Sequence, residues 1–387
     1  MALSRASIGG GSITRFATRG AVLGAALFLC APLLALALLP GEVDPALWPH
    51  VREVMLPRAV TQTLVLLVGV GAFALVVGIA AAWAVTRFEF PARRVVEWLL
   101  ALPMAFPAYV LAYAFVAGLS FDSPTATAWR ALGFPADAFP EVRSLGGAVL
   151  VLGLALYPYI YLLMRAALLR QGSAGFDAAR TLGASPLRAF VRVVLPATRA
   201  AWLGGLGLVL LEVLADFGAV KMLGRDTLTT LVIQSWTGLN SLALAAQLSL
   251  GMLAVVLLVL LLARVLRVAE APPSPELRAP QRTRLAALPA AGVLIGCALL
   301  ISLGLGWPLL QLLRWLPDDA LAALPWDAAR GTVVIAGMTA VAAVLLGLGI
   351  AAARRTFPDD RVIGAGAFAV GLGYAVPGAV MAIAVFW

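Results

Sequence analysis

Nine stretches of this chain run for about 20 residues or more with almost no charge: 21–40, 59–86, 96–119, 146–169, 201–221, 242–263, 286–306, 331–353 and 362–387. About 20 apolar residues in a helix cross the roughly 30 Å hydrocarbon core of a bilayer. In lipid each backbone N–H and C=O must find a partner within its own segment, which selects helices. The sequence therefore predicts an all-α, polytopic membrane protein with about nine transmembrane helices. Composition agrees: 12% of the 387 residues are charged and 62% are hydrophobic, against about 25% and 45–50% in soluble chains.

The rare residues exclude several chemistries. The one His (His50) and two Cys (Cys30, Cys297) cannot build a Cys/His zinc site or a disulfide framework. The single Lys, Lys221, precedes Met222, so no phosphate-binding P-loop is encoded. Of the 28 basic residues, 20 fall in stretches that lie inside if the N-terminus is inside, and 8 fall outside. Basic residues are retained on the cytoplasmic side, so the N-terminus is predicted to be cytoplasmic. The net charge of +9 reflects these loops rather than nucleic-acid binding. Glu42, Asp44, Asp122, Asp137, Glu141, Asp318 and Asp319 collect on the predicted outer side. The first span follows Arg15 and Arg19 and reads as a retained helix, its apolar run being long for a cleaved signal peptide.

An internal repeat organises the spans. The run from Thr63 matches the run from Thr332, with Gly78 over Gly347, Phe90-Pro91 over Phe357-Pro358 and Arg94 over Arg361. AFPAYVLAYAF at 105–115 then matches AVPGAVMAIAV at 375–385, with Pro107 over Pro377. Between the copies lies a Pro-rich polar linker, Ala271-Pro272-Pro273-Ser274-Pro275-Glu276 onward. The predicted organisation is one complete six-helix half at 1–265, a cytoplasmic linker at 266–285, and the start of a second half at 286–387. The second copy stops at Trp387 inside an apolar run. That is expected of a chain truncated by roughly 150 residues relative to a symmetric repeat; the other reading makes Trp387 an interfacial anchor.

The loop Ser173–Arg199 carries the most specific pattern. A short helix is predicted from about Phe176 to Leu182, ended by Gly183. A second begins at Ser185-Pro186, with Ser as N-cap and Pro in the first turn. Arg188 and Arg192 share a face, and Pro196 marks the junction with the next span. The spacing Asp177-Ala178-Ala179, three residues, Gly183, nine residues, Val193-Val194-Leu195-Pro196 resembles the EAA loop of the inner-membrane permeases of binding-protein-dependent ABC importers. Asp177 stands where that loop has Glu, and Val193 where it has Ile. The resemblance implies that Asp177, Ala178, Ala179, Gly183, Leu195 and Pro196 form a coupling loop that docks on a separate ABC ATPase subunit. A short helix on a rigid turn transmits ATPase closure as rigid-body motion. Asp177 near a helix N-terminus also suits the helix dipole.

A narrower resemblance links Leu211–Val220, Gln234-Ser235-Trp236 and Ala245–Leu248 to ferric-iron permeases built of two fused halves. It implies ferric iron delivered by a periplasmic binding protein; related permeases carry thiamine, polyamines, sulfate or molybdate. Glu212 and Asp216 lie four apart on one face of an apolar span, where carboxylates are costly. One reading makes them a translocation-path pair for a hard cation that prefers oxygen ligands. The other places Asp216 near the outer interface with Lys221 and Arg225 and pairs Glu212 inside the bundle. Neither reading makes them a stable metal site. Tyr157, Tyr159 and Tyr161 read as packing or interfacial residues, and Pro103 and Pro107 as kinks.

The expected product is a pathway subunit of the bacterial inner membrane, surrounded by lipid and not itself an enzyme. It carries no cofactor in this chain, ATP being bound and hydrolysed by its partner. An ion-coupled secondary transporter is the competing class; it has repeats and buried carboxylates but no use for the EAA loop.

Overall fold

The computed structural model describes residues 5–38, 45–266, 282–316 and 325–386. Most of the predicted linker, the acidic residues Glu42, Asp44, Asp318 and Asp319, and Trp387 lie outside the described residues. The described residues are predominantly helical. Helix α1 is Arg5–Leu38 and α2 is Leu47–Arg87. Next come α3 (Arg93–Ala105) and α4 (Ala108–Gly118), α5 (Pro124–Ala131) and α6 (Leu145–Gln171). Then follow α7 (Ala174–Thr181), α8 (Pro186–Ala197) and α9 (Arg199–Ala215). The series continues with α10 (Gly218–Met222), α11 (Leu228–Thr237) and α12 (Leu242–Leu266). It closes with α13 (Ala287–Arg314), α14 (Trp326–Thr356), α15 (Arg361–Ala375) and α16 (Gly378–Phe386). Among the described residues the only strands are β1 (Phe88–Glu89) and β2 (Thr283–Arg284), which pair in parallel.

Among the described residues six helices are long and apolar enough to cross a membrane, and three bent pairs raise the number to nine if each is one span. The pairs are α3/α4, bent by 92°, α8/α9, bent by 73°, and α15/α16, bent by 105°. Three of the predicted spans bend or end early, one of them at Pro107, where the sequence marks a kink. The spans predicted at 96–119 and 362–387 break before α4 and α16, at the aligned Pro107 and Pro377. The span predicted at 201–221 ends at Ala215, where Asp216 turns the chain into extended backbone.

Proline explains both the breaks and the survivals. Its ring crowds the carbonyl four residues earlier and it cannot donate to it. In α2, α8 and α13 the helix widens into a π turn at Val51–Met55, Phe190–Val194 and Ser302–Gly306. Each π turn stops two residues short of a proline, Pro57, Pro196 or Pro308, and the helix continues. At its end, before α4, α3 instead tightens into a 3₁₀ turn at Leu102–Ala105, which frees carbonyls of its preceding turn. Tyr161 donates to Glu97 O at 2.7 Å and Tyr157 to Leu100 O at 2.8 Å. The two tyrosines, four apart on α6, thus supply the partners that lipid cannot.

Contacts divide the chain into two compact units, Gly41–Trp315 and Met1–Pro40 with Leu316–Trp387. In the first unit α2, α6 and α9 pack mutually, and α12 packs on α9 and α11. Ile160, buried on α6, is where both α2 and α9 approach that helix closely. A Cβ on Gly78 of α2 would lie 2.9 Å from Ile160 Cβ and 3.0 Å from Tyr157 O. A Cβ on Gly205 of α9 would lie 2.9 Å from Ile160 Cα. Only glycine lets both backbones approach so closely.

The helix ahead of each repeat copy packs with the other copy. Helix α1 precedes the first copy, yet packs on α15 and α16 of the second. Helix α13 precedes the second, yet packs on α3, α4 and α6 of the first. The sequence halves 1–265 and 286–387 are read from the repeat, which contacts do not test. An ionic latch holds α1. Arg15 and Arg19 donate to Asp360 Oδ2 at 2.6 and 2.8 Å, and Asp360 Oδ1 caps α15 by accepting from the Val362 amide. Burial would raise the Asp360 carboxyl, but hydrogen bonds from Arg15, Arg19 and the Ile363 amide prevail and hold it well below the usual carboxylate range.

Two outcomes follow from this packing. Gly78→Val overpacks the α2/α6 crossing and lowers stability by about 1–3 kcal/mol; thermal unfolding in detergent at an unchanged midpoint contradicts the crossing. Asp360→Asn lowers the unfolding midpoint at neutral pH. Because the folded carboxyl is depressed, its contribution is complete above the unfolded value of about 3.9 and falls away only below it. The gap between wild type and variant therefore holds from pH 8 to 5 and narrows below about pH 4; a gap that closes near neutrality contradicts the latch.

Candidate functional site

The 173–199 loop folds as two helices on a tight turn. Gly172 ends α6 at φ 69°, and α7 begins after Ser173. Helix α7 runs over Ala174–Thr181, starting two residues and ending one residue earlier than the sequence predicts. Its end is a paired backbone cap: the Ala184 amide donates to Ala179 O at 3.0 Å and the Gly183 amide to Arg180 O at 3.1 Å. That cap needs a left-handed residue after the helix, and Gly183 supplies it at φ 87°. Ser185 Oγ accepts from the Arg188 amide at 3.3 Å and Pro186 opens α8, as predicted. The π turn before Pro196 lets Val193, Val194 and Leu195 continue as helix. Leu195 O accepts from Trp202 Nε1 at 3.0 Å, across the bend into α9.

An aromatic clamp fixes this loop to α2. Trp83 of α2 sits between Phe176 of α7 and Phe190 of α8, with ring centroids 5.3 and 4.7 Å away. One turn further, the Arg87 guanidinium lies 4.5 Å over the Phe176 ring and pairs with Asp177 Oδ1 at 3.1 Å. Rings at these separations and a cation on a ring face both attract. Asp177 therefore finds its basic partner within this chain. Ala178 and Pro196 stay exposed, Ala179 and Leu195 are half-buried, and Leu182 at the tip is 88% exposed.

Sequence reasoning missed Trp83, Arg87, Phe176 and Phe190. The signal was present as Trp and Arg four apart at the end of an apolar span, opposite an aromatic residue next to Asp177. Beside the clamp, Arg93 bridges Glu97 at 2.7 Å and Glu89 at 3.3 Å, and Arg165 of α6 also pairs with Glu97. Arg282 reaches Glu89 at 4.0 Å where β2 returns to β1.

Glu212 and Asp216 are both half-buried but serve different neighbours. Tyr159 of α6 donates to Glu212 Oε1 at 3.2 Å. Asp216 Oδ1 accepts from the Ala219 and Val220 amides at 2.8 and 3.1 Å, capping α10 after the break. Arg225 donates to the carbonyls of Leu223 and Arg143. Among the described residues no group of three or more His, Cys, Asp or Glu is arranged to hold a metal.

Residues 74–271 match the family described as "Binding-protein-dependent transport system inner membrane component". The chain is 27% identical over 234 residues to the Fe(3+)-transport system permease protein FbpB 2 of Haemophilus influenzae, covering 60% of this chain and 42% of that protein. It is 29% identical over 200 residues to the sulfate transport system permease protein CysT of Salmonella typhimurium, covering 50% of this chain and 69% of that one. The match thus spans less than half the length of the ferric-iron relative. In fold it is similar to a chain of a crystallised bacterial alginate ABC transporter in complex with alginate pentasaccharide-bound periplasmic protein. That similarity has a TM-score of 0.52 at 14% identity, over 68% of this chain and 98% of that one. With 74–271 matched, more than half of its length, the chain belongs to the binding-protein-dependent transport system inner membrane components.

Proposed function

We propose that the chain forms the transmembrane pathway of an ATP-binding-cassette importer, with its N-terminus cytoplasmic. Helix α7 docks on a separate ATPase, which binds and hydrolyses ATP, and a periplasmic binding protein delivers the solute at the opposite face. In this reading 1–265 is a first permease half, 266–285 a cytoplasmic linker, and 286–387 the start of a second half. The observation that carries it is the clamped loop. A helix that stood free of the bundle would move alone; α7 is stacked on Trp83 and ion-paired to Arg87, so a push on it moves α2. Helix α2 in turn is packed on α6 and α9 around Ile160, which makes a rigid-body transition the natural response. An ion-coupled secondary transporter has no use for such a lever.

For the solute, the reading is ferric iron. Its support is the acidic pair Glu212 and Asp216 near the α9 break, together with the similarity to a ferric-iron permease. Hard trivalent cations favour carboxylate oxygen, and two carboxylates four apart repel an oxyanion. Sulfate is the second reading, favoured by the similarity to a sulfate permease.

Two experiments test these assignments. Gly183→Asp forces a side chain onto a left-handed backbone and leaves the protein inserted. ATPase stimulation by loaded binding protein is expected to fall at least tenfold in proteoliposomes, and retained stimulation refutes the coupling role. Asp216→Asn keeps the oxygen that caps α10 but removes the charge. Iron uptake is expected to drop several-fold at equal protein level; unchanged iron uptake confines Asp216 to capping, and uptake of labelled sulfate in place of iron selects the second reading.

A further inference from the structure

A cleft of about 870 Å³ lies between α2 and the loop that carries α7 and α8. One wall is a single face of α2: Leu75, Val76, Ile79, Ala80, Trp83 and Arg87 recur every three or four residues. Phe176, Phe190 and Trp202 also line it, as does Arg180, whose Nη1 donates to Ala184 O at 2.6 Å. None of the lining residues described is a carboxylate, but Asp177, next to Phe176, pairs with Arg87 at 3.1 Å, so a phosphate there shares Arg87 with that ion pair. Val76 is 70% exposed and Leu187 at the rim is 72% exposed, so the cleft is open to its surroundings.

Its dimensions identify those surroundings. Leu75 to Arg87 is twelve residues, a rise of about 18 Å. That is close to half of the roughly 30 Å hydrocarbon core, the depth of one leaflet. The apolar part lies where acyl chain is the solvent, and the guanidinium groups stand where that leaflet has its headgroups. Cationic side chains at the cytoplasmic leaflet surface attract anionic lipids, and guanidinium matches phosphate oxygen geometry.

We infer that this cleft binds one anionic phospholipid, with an acyl chain along the α2 face and the phosphate at Arg87 and Arg180. The lipid then lies alongside the Trp83 clamp, against α2, α7 and α8. The inference rests on the orientation proposed above, which puts the Arg87 end at the cytoplasmic leaflet. Lipid binding itself requires neither ATPase nor solute, so its failure is distinguishable from failure of the transport reading.

The test is native mass spectrometry of delipidated protein titrated with dioleoyl-phosphatidylglycerol or dioleoyl-phosphatidylcholine. Wild type is expected to retain one phosphatidylglycerol with at least tenfold preference over phosphatidylcholine, and to form no adduct with inorganic phosphate. Ala80→Trp and Val76→Trp fill the cleft from exposed positions at two depths, and each is expected to lose the retained lipid at unchanged helicity. Arg180→Gln is expected to keep a lipid but lose the preference. Equal retention of both lipids by wild type overturns the headgroup assignment. Undiminished phosphatidylglycerol in the folded tryptophan variants overturns the site.

Discussion

The architecture depends on how closely α2, α6 and α9 meet at Ile160. A membrane offers no hydrophobic driving force between helices, so their association rests on close packing and internal hydrogen bonds. Gly78 and Gly205 admit the Ile160 segment where any Cβ would collide with it. Once the three helices are locked, the loop joining α6 to α9 starts and ends on a rigid body. The Trp83 clamp then extends that body to α7. A weaker crossing would let α7 move without moving the pathway.

Breaks in the helices are tolerated because other groups take over their hydrogen bonding. The carbonyls freed where α3 turns into α4 are met by Tyr157 and Tyr161. The amides exposed where α10 begins, just past the end of α9, are met by Asp216. A carboxylate at a break thus has a structural duty whatever else it does. Glu212, held by Tyr159, lies in the last turn of α9, just before that break. The two alternatives posed for these residues are therefore not exclusive: a charge can cap a helix and still face a solute.

Much of this was legible in the sequence. Nine apolar stretches announce nine helices or bent pairs, since length and hydropathy decide that question alone. Gly183 and Ser185-Pro186 announce the turn between α7 and α8, because both act through local backbone geometry. The aligned Pro107 and Pro377 mark two of the bends. The exchange of α1 and α13 between repeat copies was not legible, because every apolar face looks alike to a pattern of hydropathy. The latch shows why: Arg15 and Arg19 meet Asp360 across more than 300 positions of chain. The clamp was hidden for the same reason, Trp83 and Phe176 being joined only by the fold. The π turns before Pro57, Pro196 and Pro308 were hidden because a proline in a helix permits either a break or a widened turn, and neighbouring packing chooses.

The central claim is that α7 is the point where an ATPase grips this protein. Leu182, at the exposed tip between α7 and α8, is the place to measure it. With Leu182→Cys and a single cysteine in the docking groove of the cognate ATPase, disulfide cross-linking in membranes reads the contact directly. The account predicts a cross-link that forms in the assembled complex and changes in yield when ATP is added. A Leu182→Cys that reacts with maleimide equally with and without ATPase, and never cross-links to it, contradicts the account.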